Sequence, residues 1–346
     1  LAATATTGDM TDSGALTITG TTTLTTSAND ATIALDTTTN AFTGAVTITT
    51  NDSVGTDADV TIDGGTTALI LAASTIDGDL TVRSGHASGI TDSGLVTVGG
   101  NLAATTDAAN GLINLGTLAV DGTVQLTTAG TGNATVVNDN GLTFAAATVG
   151  GNLAATATAG NMTDNGALAI TGTTTLTTSA NNATIALDTT TNAFTGAVTI
   201  TTNDDSGANA DVTIDGGTTA LVLAASTIDG DLTLTSGNNI TDSSTVTVGG
   251  NLVATTDVDA NNGAITMDEL RVTGTVQLTT AGTGDATVVN DNGLTFAAAT
   301  VGGNLAATAT AGNMTDNGAL AITGTTNLTT SANNATIALD TTTNAF

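Results

Sequence analysis

Residues 18–24 read ITGTTTL, a frame in which a glycine follows one apolar residue by two positions and precedes another by four. The same spacing recurs in residues 42–48 (FTGAVTI) and 76–82 (IDGDLTV). Apolar and polar residues alternate with a period of two, which predicts a β-strand with one buried face. The glycine lacks Cβ and lies between two short apolar runs, so it predicts a bend that joins two strands. The frame glycines are Gly20, Gly44, Gly78, Gly100, Gly122, Gly151, Gly172, Gly196, Gly230, Gly250, Gly274, Gly303 and Gly324.

The frames are part of a longer repeat whose copies lie 152 residues apart. Residues 153–202 repeat residues 1–50 with five differences, and residues 305–346 repeat the start of the second copy with one. A unit of two or three short strands cannot bury its apolar face alone, whereas stacked units bury it continuously. The sequence therefore predicts an all-β fold, a parallel β-helix solenoid. We expect right-handed coils, because parallel β connections are right-handed in nearly all folds.

The spacing of the frames predicts the number of coils and the domain organisation. If each frame forms one coil, six frames per repeat predict about 14 coils of roughly 25 residues each. We expect a single continuous solenoid over residues 1–346, with copies of the super-repeat at 1–152, 153–304 and, in part, 305–346. We also expect the chain to be a fragment of a longer one, since the repeat begins and ends within a coil.

Threonine follows the last apolar residue in 12 of the 13 frames, and Arg83 is the exception. Stacked coils would align these residues as an outward threonine ladder, in which hydroxyl groups bond and methyl groups pack. The residues of the ladder are Thr25, Thr49, Thr105, Thr127, Thr156, Thr177, Thr201, Thr235, Thr255, Thr279, Thr308 and Thr329.

The charge of the chain excludes several classes of function. There are 31 acidic residues against 2 Lys and Arg, which gives a formal net charge of -29. Binding of nucleic acid needs many cationic side chains to replace counterions, and Arg83 and Arg271 cannot supply them. The same charge repels an anionic membrane surface. The sequence also contains no run of 18 or more apolar residues that could span a bilayer. We therefore expect no nucleic-acid partner and no membrane span. The absence of cysteine excludes disulfides and thiol chemistry.

Several motifs carry a resemblance to a known family. They are the GGNL segments at residues 99–102, 150–153, 249–252 and 302–305, the ITDSG-like turns at 90–94 and 162–166, and the LTITGTTTLTT run at 16–26. With them the chain resembles the β-helical shafts of filamentous haemagglutinin-type adhesins and related autotransporter-type bacterial surface proteins. The resemblance implies secretion, and display at the bacterial cell surface or in an extracellular fibre. It implies as partners other copies of the chain or adjoining repeats, end to end or laterally, and host, neighbouring-cell or matrix surfaces.

Aspartate is the only abundant reactive residue, so calcium is the one ion that the sequence suggests. Hard oxygen ligands at turns suit Ca²⁺. The candidate ligands lie in the TIDGGT and TIDGDL segments and are Asp63, Asp77, Asp79, Asp215, Asp229 and Asp231. The alternative is a set of solvated turns, because acidic positions exchange with asparagine between copies, as Asp9 does with Asn161. Such exchange suits a turn-forming side chain better than a required charge. We predict no other cofactor.

The sequence offers few residues for catalysis. His86 is the only histidine, and it falls where the two copies differ in length, so we expect a loop residue there. Acid–base and nucleophilic mechanisms need a second such group, and the chain has no cysteine to serve as one. We therefore expect no enzyme and no catalytic residue.

These observations favour a structural role. We predict a rigid, non-catalytic segment of an extracellular filament or adhesin shaft. The alternative is that this segment is itself the adhesive surface and binds a cell, matrix or glycan partner. Ice binding through paired threonine ranks, and a sheath bundled by calcium, are further alternatives.

Overall fold

The computed structural model describes residues 1–53, 57–205, 209–256 and 262–346, and these residues form strands and turns without a helix. The chain divides into two compact units, Leu1–Gly172 and Thr173–Phe346. Each unit is a parallel β-solenoid, as predicted, and the fold has about 16 turns. In the described residues no helix is long and apolar enough to cross a membrane.

The strands of the first unit are β1 (Ala2–Ala5), β2 (Met10–Thr11), β3 (Thr17–Ile18), β4 (Thr22–Thr26), β5 (Ile33–Leu35), β6 (Ala41–Phe42), β7 (Val46–Thr49), β8 (Val60–Asp63), β9 (Leu69–Leu71), β10 (Ser74–Ile76), β11 (Leu80–Ser84), β12 (Ile90–Asp92), β13 (Val96–Val98), β14 (Leu102–Thr106), β15 (Ile113–Val120), β16 (Thr123–Thr127), β17 (Ala134–Asn138), β18 (Leu142–Val149), β19 (Leu153–Ala157), β20 (Met162–Asp164) and β21 (Leu168–Ile170).

The strands of the second unit are β22 (Thr174–Asn181), β23 (Ile185–Leu187), β24 (Ala193–Phe194), β25 (Val198–Asn203), β26 (Val212–Asp215), β27 (Leu221–Leu223), β28 (Ser226–Ile228), β29 (Leu232–Ser236), β30 (Ile240–Asp242), β31 (Val246–Val248), β32 (Leu252–Thr256), β33 (Ile265–Val272), β34 (Thr275–Thr279), β35 (Ala286–Asn290), β36 (Leu294–Val301), β37 (Leu305–Ala309), β38 (Met314–Asp316), β39 (Leu320–Ile322), β40 (Thr326–Thr330) and β41 (Ile337–Ala338).

Each turn of the first unit crosses two parallel sheets. The first sheet runs through β1, β4, β7, the pair β9 and β10, the pair β12 and β13, β15, β17 and β19. The second runs through β2, β5, β8, β11, β14, β16, β18 and the pair β20 and β21. Strands β3 and β6 pair separately.

The second unit repeats this arrangement. Its first sheet runs through β22, β25, the pair β27 and β28, the pair β30 and β31, β33, β35, β37 and β40. Its second sheet includes β23, β26, β29, β32, β34, β36, the pair β38 and β39, and β41.

The core is narrow and aliphatic because every second side chain of a strand points inward. In β14, for example, Leu102 and Ala104 are buried while Ala103 and Thr105 between and beside them are not. The largest buried side chains are the phenylalanines Phe42, Phe144, Phe194 and Phe296. The alternation predicted from the frames is confirmed.

The frame glycines lie at the corners between strands, as predicted. Gly78, Gly100 and Gly122 occupy the same corner in three successive turns, and they stack directly on one another. The N–H of Gly100 donates to the carbonyl of Gly78 at 3.0 Å, and the N–H of Gly122 donates to that of Gly100 at 3.0 Å. A Cβ on Gly122 would lie 2.4 Å from the carbonyl oxygen of Gly100. The corner therefore requires glycine for close approach of two backbones.

The number of turns is close to the 14 expected, and the difference has a physical reason. In the first sheet, seven inter-turn steps lead from β1 to β19, whose sequences are 152 residues apart. The repeat thus holds seven turns of about 22 residues although it holds six frames. Two stretches, residues 44–77 and 122–150, make up the excess, and we name them the long segments. Each advances the chain by one and a half turns.

The long segments move the frame from one sheet to the other. The strand that follows Gly44, β7, lies in the first sheet, whereas the strand that follows Gly78, β11, lies in the second. After the other long segment the strand that follows Gly151, β19, lies in the first sheet again. The predicted threonine ladder is therefore in register but divided between sheets, with Thr25 beside Thr49 in one and Thr105 beside Thr127 in the other.

Candidate functional site

Asp and Asn side chains at the corners bind the backbone of the following turn. Asp59 Oδ1 accepts the N–H of Asp79 at 2.8 Å, and Asp79 Oδ1 accepts the N–H of Asn101 at 2.7 Å. Asn101 Oδ1 in turn accepts the N–H of Thr123 at 2.9 Å and its hydroxyl at 2.8 Å. Each side chain satisfies a donor that the corner leaves outside the sheet ladders. These residues form one ladder, which we name the acceptor ladder.

The second unit builds the same ladder from the corresponding residues. The N–H of Asp231 donates to Asp211 at 2.8 Å, and that of Asn251 donates to Asp231 at 2.6 Å. Asn251 then accepts the N–H of Thr275 at 2.9 Å. The corner geometry is thus reproduced in the next copy of the repeat.

The six calcium candidates take three separate places in the structure. Asp79 and its copy Asp231 are in the acceptor ladder. Asp63 Oδ1 accepts the N–H of Gly65 at 2.7 Å within its own turn, as Asp215 does from Gly217 at 2.7 Å.

The third pair of candidates also binds backbone. Asp77 Oδ2 accepts the N–H of Asp52 at 2.9 Å, and Asp229 Oδ2 accepts that of Asp204 at 3.0 Å. Within the described ranges no three His, Asp or Glu side chains come together as a metal site. Calcium binding by these residues stays a prediction, and backbone binding is the role that the geometry shows.

The exchange of Asp with Asn between copies follows from this role. Asn133 Oδ1 accepts the N–H of Asn152 at 2.8 Å, and its copy Asp285 accepts that of Asn304 at 2.7 Å. An amide and a carboxylate both present the oxygen that the contact needs. Elsewhere the same exchange serves the backbone, since Asp30 has a φ of 60° and its copy Asn182 one of 62°. Asp and Asn tolerate this left-handed conformation better than most residues.

We expect the free energy of unfolding of Asp79→Asn to lie within about 0.5 kcal/mol of the parent value, because the amide oxygen can accept the same N–H. The free energy of unfolding of Asp79→Ala should be lower than the parent value by about 1 kcal/mol or more. Chemical denaturation followed by circular dichroism, with calcium and with a chelator, checks both values. If calcium stabilises the parent but not Asp79→Asn, the carboxylate binds the ion and the acceptor role is insufficient.

Both arginines join successive turns by ion pairs. Arg83 binds Asp107 through its terminal nitrogen at 2.8 Å, and its Nε lies 3.9 Å from Asp63. Arg271 binds Asp291 at 2.7 Å. Because these pairs are partly exposed, each contributes little to stability. The sole histidine, His86, is exposed in a turn, where its Nδ1 accepts the N–H of Ser88 at 3.0 Å.

Buried asparagines were missed by the sequence reasoning. Asn138 is 1% exposed, and its Oδ1 accepts the N–H of Val120 at 2.8 Å. Its Nδ2 donates to the carbonyls of Val120 at 3.0 Å and Gly141 at 2.6 Å. Asn290 makes the same three bonds in the second unit. The sequence does carry one signal for these residues. In both copies an asparagine lies at a strand position where the period-two pattern would place an apolar residue.

Burial raises the pKa of two carboxyl groups. Asp63 is 6% exposed, and burial raises its pKa above the ordinary 3.8, although the Gly65 N–H and Arg83 oppose the shift. Burial also raises the pKa of Asp242, against bonds from the N–H groups of Glu269 and Asp268. In both cases the folded state holds the proton more tightly than the unfolded state does.

Asp63 and Asp242 should consequently add stability as the pH falls toward 3.8. A raised folded-state pKa gives stability that is fully present below 3.8 and is lost as the pH rises through the folded value. We expect a higher midpoint of thermal unfolding near pH 4 than near pH 7, and a smaller difference in Asp242→Asn. A midpoint that falls on acidification would contradict this assignment.

Comparison with known proteins identifies one family. A family model described as repeats of unknown function (DUF5649) matches residues 1–49, 57–115, 131–201, 209–279 and 283–346. The matches cover most of both solenoid units. No curated protein and no solved structure matches the chain.

Proposed function

The chain belongs to the DUF5649 family of repeats, and from this premise we propose that it is a non-catalytic structural segment of an extracellular filament or adhesin shaft. The observation that carries the proposal is the reproduction of the same inter-turn bonds in successive copies of the repeat. Asp79 binds Asn101 in the first unit as Asp231 binds Asn251 in the second. A copy therefore adds turns whose polar groups hold neighbouring turns together.

The surface charge supports a role as a spacer. The net charge of -29 keeps molecules soluble and apart in the absence of a cation or a basic partner. Both arginines are engaged with aspartates of adjoining turns. The resemblance of the GGNL segments to haemagglutinin-type shafts agrees with secretion and surface display.

Two measurements test the proposal. An antibody raised against this chain should label intact cells of the source organism, and labelling that requires lysis would overturn the extracellular location. Removing residues 153–304 from the full protein should leave attachment unchanged and shorten the filament by about 34 Å, from seven turns at about 4.8 Å each. Loss of attachment at normal surface abundance would favour the alternative, in which the segment itself is adhesive.

A further inference from the structure

The long segments have a property that the frames alone do not. A frame-to-frame stretch such as residues 78–99 is one turn, because Leu80 and Leu102 pair directly. Residues 44–77 also run from one frame glycine to the next, yet β7 and β11 lie in different sheets. Each long segment therefore carries the following frame to the opposite sheet.

Two long segments in succession return the frame to the sheet in which it started. The first long segment moves the frame from the first sheet to the second, and the segment at residues 122–150 moves it back, so β19 lies in the same sheet as β1. The second unit shows the same sequence of sheets, since β25 and β37 lie in its first sheet and β29 and β34 in its second.

We propose that the long segments act as side switches, which set the face of the solenoid on which each frame and its threonine row are presented. A piece that contains both segments, or neither, can be gained or lost without moving later residues to the other face. A piece that contains one segment reverses the face of everything after it. The 152-residue copy contains both, so copies are interchangeable units of length. This reading rests on the proposed structural role, but its test concerns geometry alone.

The test uses two spin labels, which is direct because the chain has no cysteine of its own. Thr4 and Thr156 occupy equivalent outward positions of β1 and β19 in the first sheet, seven turns apart, and are replaced with cysteine in the full chain. Removing residues 78–99 should shorten the axial separation by one turn, to about 29 Å between backbones, with both labels on one face.

Removing residues 44–77 should give the opposite result. The axial separation falls further, to about 26 Å, but the second label moves to the other sheet, about 10 Å away across the core, and points the other way. The label-to-label distance should therefore be longer than in the 78–99 variant although twelve more residues are missing. Removal of residues 122–150 should have the same effect.

A distance shorter than that of the 78–99 variant would overturn the proposal, since the label would have stayed on its face. Failure of both long-segment variants to fold, when the 78–99 variant folds by circular dichroism, would also overturn it. The frames would then not be interchangeable across a half-turn. Neither result bears on whether the protein is secreted, so failure here is distinguishable from failure of the proposed function.

Discussion

Replacing Gly122 with alanine should destabilise its corner by about 3 kcal/mol, the upper end for overpacking a close contact. The new Cβ would lie 2.4 Å from the carbonyl oxygen of Gly100. That oxygen cannot move away without losing a hydrogen bond, because it also accepts the N–H of Gly122 at 3.0 Å. The two backbones must separate, and the hydrogen bond between them lengthens. Hydrogen exchange of β14 and β16, together with denaturation followed by circular dichroism, measures the loss.

Gly116, within β15 of an inner turn, provides the control. The nearest atom to a Cβ placed there is Asp92 Oδ1, at 4.0 Å. Gly116→Ala should therefore change the free energy of unfolding by less than about 0.5 kcal/mol. Equal losses in the two variants would show that glycine is needed for its backbone freedom and not for the stacking of turns.

The corners could be predicted from sequence because they depend on local features. Period-two alternation and a glycine between two apolar runs fix a strand, a bend and a second strand. The number of turns depends on something less local, namely which strand lies above which. The long segments have no frame of their own to mark the extra half-turn, so counting frames underestimates the turns. Only the pairing of β7 with β10 and of β8 with β11 reveals it.

The candidate site was predictable in composition but not in role. The sequence indicated that aspartates cluster at turns, and exchange with asparagine indicated that charge is dispensable. The partner of Asp79, however, is the N–H of Asn101, 22 residues later. That distance along the chain is set by the length of a turn, which the sequence left uncertain. The burial of Asp63 likewise depends on its neighbours in adjoining turns and has no local signal.

Replacing Asn138 with leucine should cost about 3 kcal/mol or more, because three backbone groups lose their only side-chain partner. The N–H and carbonyl of Val120 and the carbonyl of Gly141 are all bound by this one amide, which is 1% exposed. Leucine has similar size but no polar atom, so the loss measures unsatisfied hydrogen bonds more than lost volume. Denaturation followed by circular dichroism checks the magnitude.

Asn138→Asp separates hydrogen bonding from packing. A carboxylate can still accept the N–H of Val120 but repels both carbonyls that the amide bound, and it places a charge in the core. Once protonated it can donate to one of them, so this variant should regain part of its stability near pH 4, relative to the parent at the same pH. Asn140→Leu is the control, since the exposed Asn140 makes one 3.1 Å bond to Asp121 and should lose less than about 0.5 kcal/mol. If Asn138→Asp and Asn138→Leu lose equal stability at every pH, shape alone explains the buried amide, and its bonds do not hold the turns together.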